Sequence, residues 1–162
     1  MEYSAYLDIE TTGLSPAESR LTVIGIYKDD GRENGFIQLV GDEIGPSTLL
    51  QAMEGVSTLY TYNGARFDLP FIKAKLDVDL NAYCRHSDLM YSCWRRKLYG
   101  GLKGVERQLG IERKLPDVDG WIAVHLWYRY ENDGDRDSLE KLLKYNEEDV
   151  INLRVLRERL SI

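Results

Sequence analysis

Asp8 and Glu10 stand two residues apart, directly after the apolar and aromatic stretch Tyr3-Ser4-Ala5-Tyr6-Leu7. That stretch predicts a strand, in which side chains two apart share a face, so both carboxylates point the same way. Adjacent carboxylates repel unless a cation lies between them, and hard divalent ions such as Mg²⁺ take oxygen ligands. The pair therefore has the chemistry of half a metal site, although a lone D-x-E at a strand end is more often simply solvated. Asp68 falls in the first turn of a predicted helix, where the helix dipole favours negative charge. Tyr145 and Asp149 are four apart in a predicted terminal helix and project from one face. Each has a bland explanation taken singly: a helix-start carboxylate, a half-buried aromatic and a surface acid.

The elements that must position these residues follow from periodicity and turn chemistry. Thr11-Thr12-Gly13 turns the chain, with Gly13 available for a positive-φ position. Residues 21–27 and 36–40 read as second and third strands around the turn at Asp29-Asp30-Gly31-Arg32, which predicts an antiparallel meander. A short helix over 48–54 is expected, with Ser47 as N-cap and Gly55 at its end. Residues 58–62 form a fourth strand, Asn63-Gly64 breaks it, and a helix runs from about 66 to 76 with Pro70 tolerated in its first turn. This strand, helix, strand order favours parallel pairing.

A short fifth strand is expected over 83–86, and Ser87-Asp88 then caps a helix reaching about residue 98, which gives Asp88 a structural role. Gly100-Gly101 precedes another short helix over 102–109. Trp121, Ile122, Val124, Leu126, Trp127 and Tyr130 mark a helix apolar around most of its surface, a pattern that reads as core. The terminal helix over 137–160 buries a stripe that includes Leu142, Val150, Leu153 and Leu156. The fold class expected is α/β, with a mixed five-stranded sheet flanked by helices.

With 162 residues and 43% hydrophobic content the chain predicts one domain, 1–162, with a proper core. No apolar run approaches the roughly 20 residues of a membrane span, and the N-terminus lacks a basic region followed by an apolar one, so a soluble, cytoplasmic protein without a membrane partner is expected. Cys84 and Cys93 make neither a disulfide framework nor, with His86, a zinc pattern; buried free thiols are expected. Lys plus Arg number 21 against 27 Asp plus Glu, a net charge of −6, which counts mildly against a polyanion partner. Carboxylates clustered on metal ions would inflate that acidic count.

Taken together, Asp8 to Leu14, Asn63 to Asp68 and Tyr145 to Asp149 resemble, in order, the three motifs of the DEDD exonuclease superfamily of the ribonuclease-H-like fold. The Y-x3-D spacing marks its tyrosine branch. A histidine-branch member carries His five residues before the last Asp, where this chain has Lys144, and His86 and His125 are too far away in sequence to substitute. Asn152-Leu153, Ser87-Asp88-Leu89 and Gly101 to Glu106 are most similar to the YprB-like predicted nucleases. Family-B polymerase proofreading domains share the motifs within much larger chains, whereas the T-T-G-L ending of the first motif is familiar from the histidine branch.

The resemblance implies metal-dependent 3′→5′ exonucleolytic hydrolysis of single-stranded DNA or RNA, using two Mg²⁺ or Mn²⁺ ions. In that scheme Asp8 bridges the metals, Glu10 and Asp68 complete the shell, and Asp149 holds the metal that carries the attacking water. Tyr145 orients that water; an ordinary tyrosine pKa of about 10 argues against a free general base. The resemblance further implies that Leu14 wedges against terminal bases, that backbone amides near Thr11 and Thr12 meet the terminal sugar, and that Asn63 and Phe67 line the same cleft. Phe67 offers a stacking face and Lys103 a phosphate contact. The competing readings are an interaction module that has lost turnover and a structure-specific endonuclease. A helicase or polymerase partner is left open.

Overall fold

The computed structural model describes residues 2–162. Five strands form one mixed sheet: β1 (Tyr3–Thr11), β2 (Leu21–Asp29), β3 (Asn34–Val40), β4 (Val56–Thr61) and β5 (Arg85–Asp88). Their order is β3-β2-β1-β4-β5, with β1 to β3 an antiparallel meander and β4 and β5 added in parallel on the other side of β1. The meander and the parallel pairing agree with the sequence expectation. Six α-helices complete the chain: α1 (Pro46–Ala52), α2 (Asp68–Leu76), α3 (Leu89–Arg95), α4 (Gly101–Leu109), α5 (Gly120–Asp133) and α6 (Arg136–Leu160). Among the described residues no helix is long and apolar enough to cross a membrane.

Alternation along β1 decides which face carries the chemistry. Ala5, Leu7 and Ile9 pack with Leu49, Met53, Leu69, Phe71 and Ile72 of α1 and α2. The intervening Tyr6 packs with Val150, Leu153 and Leu156 of α6 and with Leu89 and Cys93 of α3. Asp8 and Glu10 continue the Tyr6 row, so they open toward α6. A third cluster, around Val23, Val118, Ala123, Leu126, Trp127, Leu142 and Tyr145, fixes α5 against α6.

Two element boundaries move from their expected places for local reasons. The first helix starts at Pro46 behind Gly45, not behind Ser47, because the fixed φ of proline suits the first helical position. The fifth strand begins at Arg85 instead of residue 83, because a 3₁₀ turn at Leu80–Ala82 draws in the amides of Tyr83 and Cys84, both of which donate to the Leu80 carbonyl. Asp88 does cap α3, accepting from the Met90 amide at 3.0 Å. Cys93 is buried, whereas Cys84 is only half-buried; both thiols are free.

Candidate active site

Asp8, Glu10 and Asp149 each place a carboxylate oxygen within 4.8 Å of the others. Glu10 and Asp149 are buried and Asp8 is half-buried at the floor of a cleft between β1, α5 and α6. Burial pushes the carboxyls of Asp8 and Glu10 well above their ordinary values, and the charges of Asp149 and of one another add to that push. Asp149 rises to about 6, again through burial, with the Arg113 guanidinium opposing. Glu10 Oε1 is buried and has no hydrogen-bond partner. A buried acceptor without a donor costs free energy, so the cluster is incomplete as protein alone.

Asp68 stands beside this trio and not within it. Its Oδ2 accepts the Ile9 amide at 3.1 Å, tying the start of α2 to β1 between the two motif-one carboxylates. The residue is 3% exposed, and burial lifts its carboxyl to about 7. Its charge also raises Asp8 and Glu10.

α6 delivers Tyr145 and Asp149 because Asn146, fully buried between them, fastens the helix to the sheet. Asn146 Nδ2 donates to the Asp8 carbonyl at 3.2 Å, and its Oδ1 accepts from Gln38 Nε2 at 3.0 Å. Gly25, paired with Asp8 across the β1–β2 ladder, leaves room for that amide: a Cβ there would meet Asn146 Oδ1 at 2.2 Å. Tyr145 is 6% exposed, and burial followed by the charges of Asp149, Glu10 and Asp8 pushes its phenol far above the ordinary tyrosine value. It remains a neutral donor at physiological pH.

Arg113, from the loop between α4 and α5, reaches the same pocket. Its Nη2 lies 2.6 Å from Asp149 Oδ1 and 2.6 Å from Glu106 Oε1, and its Nε donates to Glu106 Oε2 at 2.8 Å. Glu106 is 1% exposed and also accepts from Asn152 Nδ2 at 2.7 Å. Glu148 holds the loop on α6 through the amides of Lys114 and Leu115, at 2.7 and 3.1 Å. Lys103 Nζ donates to the Val118 carbonyl and sits 4.9 Å from the Tyr145 ring centre; burial lowers its pKa.

Thr11, Thr12, Leu14 and Phe67 line the cleft together with Asp8, Glu10, Tyr145 and Asp149. Thr11 Oγ1 donates to the Gly13 carbonyl and Thr12 Oγ1 accepts the Arg20 amide, so both hydroxyls shape the turn. Gly13 does not take the positive φ expected of it; a Cβ there would meet Ser19 Oγ at 2.5 Å, and close approach is the reason for glycine. Asn63 stands outside this cleft wall. It adopts φ 61° to turn the chain toward α2, and its amide donates to Asp88 Oδ1 at 2.8 Å.

A model of the family described as "RNase_H superfamily" matches residues 5–161. The chain belongs to this superfamily. Among curated proteins it is similar to YprB of Bacillus subtilis strain 168, described as uncharacterized, at 28% identity over 96% of this chain and 41% of YprB. It is also similar to the uncharacterized MJ0365 of Methanocaldococcus jannaschii, at 28% identity over 90% of this chain and 88% of that protein. In three dimensions it matches the family B DNA polymerase from the hyperthermophilic archaeon Pyrobaculum calidifontis with a TM-score of 0.72 and 15% identity, over 98% of this chain and 24% of the polymerase. A protein described as the apo form of the nuclease matches with a TM-score of 0.60 and 19% identity, over 99% of this chain and 71% of that one. These structural likenesses show the RNase H-like fold, and the chain spans less than half the length of YprB and about a quarter of the polymerase.

Four contributors to this RNase H-like site escape the motif reading. Arg113 lies in a loop with no periodicity, and Glu106 and Asn146 read as ordinary helix positions. Trp121 was expected in the core but is 72% exposed, because it sits on the first turn of α5 beyond the reach of α6. His125, remote from the third motif in sequence, nevertheless lines the cleft beside Trp121.

Proposed function

We propose that the chain is a divalent-cation-dependent 3′→5′ exonuclease that hydrolyses phosphodiester bonds of single-stranded DNA or RNA. The observation that carries this reading is the convergence of Asp8, Glu10 and Asp149 within 4.8 Å around a buried, unpartnered Glu10 oxygen. An all-oxygen donor set of this charge suits Mg²⁺ or Mn²⁺. The three motifs of the tyrosine-branch exonucleases, and a nuclease among the structural relatives, support the choice of reaction.

Asp8, Glu10 and Asp149 would hold the ions, and Asp68 would add negative charge beside them while bracing β1. When bound, two divalent ions supply an activated water and stabilise the leaving oxygen. Tyr145 orients that water by hydrogen bonding, since its raised pKa prevents it from taking a proton. Arg113 sets the rotamer of Asp149. The Thr11–Leu14 turn and Phe67 hold the terminal nucleotide, and Lys103 approaches its phosphate side.

A binding module without turnover is the second reading, favoured by the guanidinium already resting on Asp149. Against it, Arg113 is matched by its own bidentate partner Glu106, which leaves the four motif carboxylates in charge excess. The test is a 5′-labelled single-stranded oligonucleotide incubated in Mg²⁺ or Mn²⁺ with the wild type and with Asp8→Ala. Stepwise shortening by the wild type alone supports the exonuclease. Equal products from both proteins overturn it, and cleavage of a circular strand replaces it with an endonuclease.

A further inference from the structure

The carboxylates sit between two unlike mouths. On one side a cavity of about 360 Å³ presents the two cations Lys103 and Arg113 beside Gly100 and Gly101. On the other a cavity of about 570 Å³ presents Leu14 and Phe67 facing Trp121, Val124 and His125. Asp8, Gly120, Tyr145 and Asp149 belong to both. A nucleotide divides in the same way, into an anionic phosphate and a flat, largely apolar base.

Trp121 is 72% exposed and Leu14 86% exposed, and neither exposure serves the fold. Large apolar side chains left in water beside a cleft mark a surface that something covers. The indole of Trp121 is not free to swing: its ring centre lies 4.1 Å from that of His125, one turn along α5, with the planes at 64°. The imidazole buttresses the indole and leaves the remainder of it toward the cavity. Both threonine hydroxyls of the opposite wall are already engaged within the turn. Leu14, Phe67, Trp121 and Val124 offer no amide or carboxylate to read a base edge.

We propose that Trp121, held by His125, is the stacking face for the nucleobase of the strand's terminal nucleotide, opposite Leu14. The inference rests on the nuclease reading for its ligand class and adds residues that the three motifs do not contain. Because every base has a π-face and this wall carries no hydrogen-bonding pair, the slot accepts all four bases with similar affinity.

The test is calorimetry in Mg²⁺ with deoxyadenosine 5′-monophosphate and, separately, 2-deoxyribose 5-phosphate, which lacks the base. Wild type is expected to bind the nucleotide more tightly than the sugar phosphate, with quenching of tryptophan fluorescence. Trp121→Ala is expected to weaken the nucleotide by roughly 5- to 150-fold and to leave the sugar phosphate unchanged, while Trp121→Phe keeps most of the affinity. An exposed site makes misfolding an unlikely confounder, and an unchanged melting temperature for Trp121→Ala checks that. Equal nucleotide binding by wild type and Trp121→Ala, equal loss of both ligands, or no nucleotide binding by the wild type overturns the proposal. A chain that binds the nucleotide in this base-dependent way but shortens no strand upholds the slot and sinks the exonuclease; degradation that Trp121→Ala leaves untouched does the reverse.

Discussion

Arg113 Nη2 and Asp149 Oδ1 are 2.6 Å apart, and the same nitrogen lies 2.6 Å from Glu106 Oε1. One guanidinium thereby joins α4 to the carboxylate that α6 brings to the site. All three side chains are nearly inaccessible, so their charges are compensated by one another and not by water. Removing the cation strands Glu106 in the interior. Arg113→Met is expected to lower the unfolding free energy by about 3–5 kcal/mol, as breaking buried ion pairs does, and Arg113→Met with Glu106→Gln to recover part of it. Urea denaturation of the metal-free proteins measures both.

Asp149 and Asp68 carry carboxyls raised by burial to about 6 and about 7. Because these groups hold protons more tightly when folded than unfolded, their contribution to stability is complete below the ordinary carboxylate range near pH 4 and is lost as pH rises through about 7. In EDTA the melting temperature of the wild type is therefore expected to fall more steeply between pH 5 and 8 than that of Asp68→Asn. Mg²⁺ should reverse the loss at pH 8 more than at pH 5, since only the ionised carboxylates bind it. Thermal scans across that range, with and without the ion, decide the point.

Tyr145 meets the cluster as a neutral phenol packed in the core between α5 and α6. Tyr145→Phe keeps the ring and loses the hydroxyl that orients the water. Turnover is expected to fall by roughly 10²-fold with little change in KM, the pattern of a lost alignment and not of lost binding. Steady-state kinetics on a single-stranded oligonucleotide reads the split.

Gly25 and Asn146 set how closely α6 approaches β1 and β2. Gly25→Ala forces its Cβ against Asn146 and Val150, so it is expected to cost about 1–3 kcal/mol by overpacking. It should also slow hydrolysis by displacing Tyr145 and Asp149, although position 25 touches no substrate. Chemical denaturation together with the oligonucleotide assay tests whether the stability loss and the slowed turnover appear together.

Strand alternation makes the shared face of Asp8 and Glu10 legible, and helical spacing does the same for Tyr145 and Asp149. The meander and its parallel extension are likewise written in turn residues and segment order. Arg113 is not legible, because a loop residue acquires its role from Glu106 and Glu148, which are 7 and 35 positions away and come together only through packing. Trp121 was misread for a related reason: an apolar helix pattern specifies which residues prefer burial, but the neighbouring elements decide which of them obtain it. Gly13 illustrates the same limit, since φ preference is a local property and the close approach of Ser19 is a tertiary one.

The central claim is that Asp8, Glu10 and Asp149, with Asp68 behind them, form a site for divalent cations. Titration of the metal-free chain with Mn²⁺, followed by electron paramagnetic resonance of the free ion, measures this without relying on turnover. Binding of two ions per chain by the wild type, and its loss in Asp8→Asn, is the predicted result; no binding by the wild type, or undiminished binding by Asp8→Asn, contradicts the account.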